Sequence, residues 1–276
     1  MSWIIFATLG LIGLFVGSFL NVVIYRGPII WGLIDASPKD ADGENDKKVP
    51  MLGQTRFNFS TPRSFCIECG KPIARRDLIP LFSYLMLKGA CPYCRSRISL
   101  RYPIVEVLGA LVILLSFNVF GLSAEAFLAT IFGWTLLVLA FIDKETGYLP
   151  DALTLPLIVG GIAMNTVDLF APLPDAIIGG IAGYFIFWLI RLVFKAIRGE
   201  EGLGLGDAKL LAGICAWIGW QALPAIVFIG SVSSLLAIGL YRANRNSKIK
   251  ANTSLAFGPG LAFAGFCAMV SPFPLY

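Results

Sequence analysis

Eight stretches of this 276-residue chain are apolar over enough length to form membrane helices, and they decide what it can fold into. A hydrocarbon core of about 30 Å takes roughly 20 apolar residues in helical form, fewer when a helix is tilted or enclosed by others. The runs cover about 2–25, 104–121, 124–142, 152–170, 174–195, 208–221, 224–241 and 255–272. The sixth is short and bounded by Trp217, Trp220 and Pro224. Composition agrees, with 57% hydrophobic and only 14% charged residues; a soluble domain carries about 25% charged residues. The pattern predicts an all-α polytopic membrane protein with about eight transmembrane helices. The first run lacks a positively charged start and a small-residue cleavage site, so it is expected to stay as a membrane helix and not be removed as a signal peptide.

Lysine and arginine orient the spans. Residues 26–103 hold 13 of the 22, and the other nine lie near 144, 191–209 and 242–250. The opposite loops, near 118–125, 168–175, 220–224 and 271–276, hold none. The positive-inside rule therefore places the large polar segment in the cytoplasm and both termini outside. The expected organisation is a first transmembrane helix over 1–25, a cytoplasmic domain over 26–103 and a seven-helix membrane domain over 104–276. Within 26–103 the 13 basic residues face 7 acidic ones. Positive-inside bias and attraction to anionic membrane lipid account for that excess, so no nucleic-acid partner is expected.

The cytoplasmic segment has two parts. Residues 34–49, "IDASPKDADGENDKKV", read as a polar, mobile loop. Its "DADGEND" stretch lacks the EF-hand spacing, because Gly43 is at the fourth position and no glutamate closes the loop. Residues 62–102 instead carry two Cys-x-x-Cys pairs, Cys66/Cys69 and Cys91/Cys94, separated by 21 residues and set in turn-prone surroundings. Four thiolates so arranged make a closed tetrahedral zinc site. A small four-cysteine zinc-binding segment is therefore expected between the first and second membrane helices, with Lys71, Arg75, Arg76, Arg95 and Arg97 offsetting its charge. Cys215 and Cys267 lie alone in apolar runs and read as small hydrophobic fillers.

The chain contains no histidine, which removes Ser-His-Asp, Cys-His and His-ligated zinc hydrolysis together. Acid–base chemistry then falls to carboxylates, lysines, tyrosines or cysteines. An aspartate in or at the edge of a span is costly and marks a functional candidate. Asp143, in "VLAFIDKETGYLPD", and Asp207, in "GLGLGDAKLL", fall on the cytoplasmic face at similar depth. Two carboxylates sharing a site act as base and acid in turn. Gly204 and Gly206 would let the backbone approach a substrate strand. The competing structural role for Asp207 is a helix N-cap, and Asp151 after Pro150 has the position of an N-cap aspartate. Asp168 and Asp175 fall on the far side. Glu106 either pairs with Arg101 or lines the site.

"GSFLNVVIYR" (17–26), the paired cysteines, "RYPIVEVLGA" (101–110), "FID" followed by "LPD", "GLGD" (204–207) and "FGP" (257–259) together resemble the bacterial type IV prepilin peptidases. The order and spacing match over nearly the whole chain, least between Pro28 and Asn58. The resemblance implies a Gly-x-Gly-Asp membrane aspartic peptidase in the bacterial inner membrane, with Asp143 and Asp207 as the catalytic pair. Its substrates would be type IV prepilins or type II secretion pseudopilins, whose short basic leader is cut after a glycine at the cytoplasmic face. Many members then methylate the new N-terminus with S-adenosylmethionine, a second cofactor beside zinc. In "RRDLIPLFSYL" (75–85), Leu78 stands where the family more often has a polar residue, and a peptidase without methyltransferase activity is the alternative. Two other classes compete: a carboxylate-dependent ion or solute transporter, which inverted repeats would favour, and a membrane anchor held by the zinc segment.

Overall fold

The computed structural model describes residues 3–34, 57–199, 204–245 and 256–271. The polar loop and the calcium-like stretch at 35–49 lie outside the described residues. The chain divides into two compact units, Met1–Leu115 and Ser116–Tyr276.

In the first unit, α1 (Trp3–Ile30) is a 28-residue apolar helix, and α3 (Arg101–Phe120) begins here and continues into the second unit. Between them come a 3₁₀ turn at Arg75–Leu78 and the short α2 (Phe82–Met86). The stretch 17–26 supplies what holds α1 to its surroundings. A Cβ on Gly17 would lie 2.7 Å from Glu106 Cα, so only glycine lets the two backbones approach this closely. One turn on, Asn21 Nδ2 donates to the Tyr102 carbonyl at 3.1 Å. Arg26, only 5% exposed, donates to the carbonyls of Asn58 and Pro62, each at 2.7 Å, with its guanidinium 5.4 Å from the Phe57 ring centroid. The residue that the sequence puts at the start of the polar segment is thus still helical, and α1 runs on to Ile30.

The second unit follows as α4 (Ala124–Thr146), α5 (Asp151–Met164, prolonged by a 3₁₀ turn to Val167), α6 (Leu173–Arg198), α7 (Leu205–Ile218), α8 (Leu223–Arg245) and α9 (Gly258–Met269). Ser123 Oγ caps α4 by accepting from the Ala126 amide, and Gly147 ends it at φ 71°. α7 is the axis of the unit. It packs against α5, α6 and α9, and 11 of its 14 residues are buried. Small residues make this possible: a Cβ on Gly183 of α6 would stand 3.0 Å from the Leu211 carbonyl oxygen. Trp217, expected as the boundary of a short span, is a core residue whose indole donates to the Leu157 carbonyl at 2.8 Å.

α1, α3, α4, α6 and the Leu223–Leu240 part of α8 are long and apolar enough to cross a membrane. α5, α7 and α9 are shorter apolar helices of 14, 14 and 12 residues. Among the described residues there are helices, turns and two isolated bridges but no extended strand. This is the architecture of a multi-pass membrane protein.

One buried polar residue ties three elements together. Asn165 Nδ2 donates to the carbonyls of Ala216 and Trp217, both at 3.0 Å, and its Oδ1 accepts from the amides of Phe170 and Ala171. Asn165→Leu strands those groups away from water, at about 1–3 kcal/mol for each one left unpaired. Thermal unfolding of the variant in detergent should show a loss of at least about 2 kcal/mol, with helix content unchanged below the transition.

Candidate active site

Asp143 lies in the last turn of α4 and is 6% exposed. Its Oδ2 accepts a hydrogen bond of 2.9 Å from the backbone amide of Gly258, the first residue of α9. The N-terminus of a helix carries unsatisfied N–H groups and partial positive charge, so it suits a carboxylate. A Cβ on Gly258 would come within 2.6 Å of Asp143 Oδ2, which is why glycine occupies this position. The "FGP" stretch thus delivers one amide to one carboxylate across 115 residues of sequence.

Asp207 reaches the same region from α7. The N-cap of that helix is Gly204, not Asp207, and Asp207 is the third helical residue. The residue is 9% exposed; its carboxylate hydrogen-bonds the backbone of Gly204 and feels the negative charge of Asp143. Its Oδ1 has no hydrogen-bond partner. Among the described residues no ion pair reaches either aspartate. The structure therefore brings Asp143 and Asp207 together within the second unit, buried, mutually repelling, and with an open acceptor on one of them.

The neighbouring candidates take other roles. Asp151 is the first residue of α5, whose N-cap is Pro150. It is 57% exposed at its side chain and pairs with Lys209 Nζ at 2.6 Å. This ion pair engages Asp151 and occupies the cation closest in sequence to Asp207. It also joins the starts of α5 and α7. Gly206 does not face open space either, because a Cβ there would meet Leu149 Cβ at 2.8 Å. It admits the "YLPD" turn against α7. Gly204 has φ −71°, a conformation open to any residue, but its missing side chain leaves room for Asp207 Oδ2. At the other end of these helices Asp175 accepts from Trp220 Nε1 and Gln221 Nε2, and Asp168 accepts from the Leu173 amide. Both fix loops.

Glu106, in the first unit, is 7% exposed; its Oε2 accepts from the Leu81 amide at 2.8 Å, and Ser18 hydrogen-bonds it as well. The sequence offered pairing with Arg101 or lining the site, and the Leu81 amide is a partner outside both alternatives.

The four cysteines also converge. Their sulfurs all lie within 4.8 Å of one another, and the Cys66 and Cys94 sulfurs are 3.8 Å apart. A tetrahedral ion with metal–sulfur bonds of about 2.3 Å sets its ligands about 3.8 Å apart. Two similar knuckles create the arrangement. In the first, the Cys66 amide donates to Lys71 and the Gly70 amide to Cys66; in the second, Cys91 donates to Ser96 and Arg95 to Cys91. Gly70 and Arg95 hold equivalent left-handed positions, at φ 68° and 62°. Hydrogen bonds from the Ser96 hydroxyl and backbone bring the Cys94 thiol down to about 6. At Cys69 the Lys71 amide also pulls the thiol down, yet desolvation and the neighbouring Cys66 and Cys94 sulfurs outweigh it and push the thiol up to about 11. Four thiols this close do not all ionise unaided, and a bound cation removes that conflict. These residues can hold a metal ion.

Two family models match the chain. The bacterial peptidase A24 N-terminal domain covers residues 11–120, and the type IV leader peptidase family covers residues 130–239. The chain is 40% identical to the prepilin leader peptidase/N-methyltransferase of Aeromonas salmonicida over 98% of its own length and 92% of the relative's. The chain belongs to the type IV leader peptidase family. A relative of the same name from Pectobacterium carotovorum subsp. carotovorum is 42% identical, with 96% and 92% covered, and one from Pseudomonas putida is 40% identical, with 94% and 88% covered. No solved structure matches significantly. The family models meet between residues 120 and 130, close to the division of the chain into its two units.

Metal analysis of the purified protein should give about one ion per chain, held by four thiolates. Each of the variants Cys66→Ser, Cys69→Ser, Cys91→Ser and Cys94→Ser should lose most of it. Loss confined to one Cys-x-x-Cys pair would contradict a shared site.

Proposed function

We propose that this protein is a membrane aspartic endopeptidase that removes the short basic leader of type IV prepilins or type II secretion pseudopilins, after a glycine, at the cytoplasmic face of the inner membrane. The observation that carries this is the meeting of Asp143 and Asp207, from separate helices, in a buried place where no ion pair reaches them among the described residues. Membership of the family and the name shared by its relatives support the same conclusion.

Two carboxylates in one poorly solvated site do not both ionise readily, so one retains a proton. The ionised member takes a proton from water, and the water oxygen attacks the scissile carbonyl. The protonated member supports the developing oxyanion, and the departing amine receives a proton in turn. The Gly258 amide holds one Asp143 oxygen and so orients that carboxylate. The Asp151–Lys209 pair keeps the Lys209 ammonium engaged on α5. A basic leader stays on the cytoplasmic side while the apolar helix behind it lies in the bilayer, so its scissile bond falls near the interface. With eight spans, α5, α7 and α9 crossing inside the bundle, the lysines and arginines segregate to one side and both termini lie outside. Asp143 and Asp207 are then on the cytoplasmic side, in a membrane domain spanning 104–276.

Zinc is the ion we assign to Cys66, Cys69, Cys91 and Cys94, as a structural centre of a cytoplasmic domain spanning 26–103. All four ligand positions come from the protein, so the ion supplies folding energy, not a reactive coordination site. The relatives' name also couples leader removal to N-methylation, and S-adenosylmethionine is the proposed methyl donor. The chain has no glycine-rich nucleotide fingerprint, so no residue is assigned to the donor.

Membranes carrying Asp143→Asn or Asp207→Asn should fail to cut a model prepilin, with rates down by at least about 10²-fold, the scale of acid–base catalysis. Asp151→Asn should retain cleavage. Activity surviving in Asp143→Asn but lost in Asp151→Asn would reassign the partner of Asp207. Gly258→Ala, which crowds Asp143 while leaving both carboxylates in the chain, should slow cleavage without loss of the bound metal. Mass spectrometry of the processed product, read for one added methyl group, separates the dual activity from peptidase alone.

A further inference from the structure

The segment between the two cysteine pairs is folded the wrong way round for water. Leu78, Ile79, Phe82, Leu85 and Met86 are 38% to 72% exposed. Around α2 they recur at intervals of three and four residues, so Phe82, Leu85 and Met86 share one face of the helix. The polar side chains of the same helix are half-buried and hydrogen-bonded to backbone instead. Tyr84 donates to the Ile98 carbonyl at 3.4 Å, and Ser83 Oγ donates to the Ile79 carbonyl at 2.7 Å. A solvated surface selects the opposite arrangement.

A separate observation fixes where this face lies. The Leu81 amide, held at φ 57°, donates to Glu106 Oε2 at 2.8 Å. Glu106 belongs to α3, which has 20 residues. Such a helix is about 30 Å long, roughly the thickness of the hydrocarbon core, and has no residues to spare if it crosses. Glu106 is five residues past its start, or about 7 Å along the axis. Its carboxylate therefore draws Leu81, and α2 behind it, down to the membrane boundary. On the same unit, α1 and α3 expose Phe15, Phe19, Ile104 and Val107, an apolar surface continuous in kind with that of α2. The charge is complementary as well: residues 57–100 hold seven Lys or Arg against two Asp or Glu, with Arg63, Arg76 and Lys88 exposed around the segment. Anionic headgroups attract such a basic surface while apolar side chains enter the acyl boundary.

We propose that Leu78–Met86 is an interfacial anchor: its apolar face inserts into an acidic leaflet beside α1 and α3, and Glu106 sets its depth. The cysteine-bearing knuckles are thereby seated on the membrane surface. The inference depends on α1 and α3 spanning the bilayer and is independent of the peptidase assignment.

The test places a small fluorescent noncanonical residue at position 82 or 85 of the full-length, metal-loaded protein, with position 68 as a reference on the first knuckle. The protein is reconstituted in vesicles of phosphatidylethanolamine and phosphatidylglycerol. Quenching is read with a lipid bearing a doxyl group near the top of its acyl chain and, separately, with aqueous iodide. Strong doxyl and weak iodide quenching at 82 and 85, with the reverse at 68, is the expected result. Strong iodide quenching at 82 and 85 overturns the proposal by placing the face in water. Failure of both quenchers there also overturns it, by showing that protein covers the face.

Discussion

Burying two carboxylates next to each other is the constraint around which the second unit is built. Each aspartate alone is costly in an apolar helix bundle, and placing one beside the other adds repulsion. Among the described residues the structure offsets this with backbone, not with cations. The first amide of α9 serves Asp143, and the backbone of Gly204 serves Asp207. An arginine or lysine in either place would neutralise the pair and hold both groups ionised, which would end the division into acid and base that we propose for them. Lys144, next in sequence to Asp143, stands instead over the Phe141 ring, and Lys209, two residues from Asp207, is committed to Asp151 at the start of α5.

Glycine in this molecule serves close approach more than flexibility. Gly258 leaves space for a carboxylate, Gly206 for Leu149, Gly183 for a neighbouring helix and Gly17 for the backbone of α3. None of these four has a positive φ. Gly204 and Gly206 are thus chiefly a fitting between α7, its own aspartate and the turn that opens α5. Tight packing matters more here than in water, because lipid supplies no hydrophobic drive to press helices together.

Two buried polar residues away from the dyad are satisfied in the same manner. Asn165 pairs all four of its available contacts with backbone, and Arg26 holds two carbonyls of the polypeptide that follows α1. Each fastens an irregular stretch to a helix. Neither announces itself in a single sequence: a lone asparagine after an apolar run reads as a loop residue, and an arginine at a helix end reads as a topology signal.

The sequence by itself determined the all-helical membrane class, the sites of the apolar helices, the two cysteine pairs and the pair of aspartates worth suspecting. All of these are local: hydropathy over one helix length, ligand spacing within a turn, and the cost of one charge in an apolar run. Only the tertiary structure decided what each residue meets. It gave the Asp143 carboxylate to Gly258, moved the N-cap of α7 from Asp207 to Gly204, and turned Asp151 from an expected cap into the partner of Lys209. It likewise assigned Glu106 to the Leu81 amide and gathered four sulfurs within 4.8 Å. The physical reason is that these contacts join residues up to 115 positions apart. A helix's own pattern says which face is apolar, but not which backbone amide will stand opposite its one charged side chain.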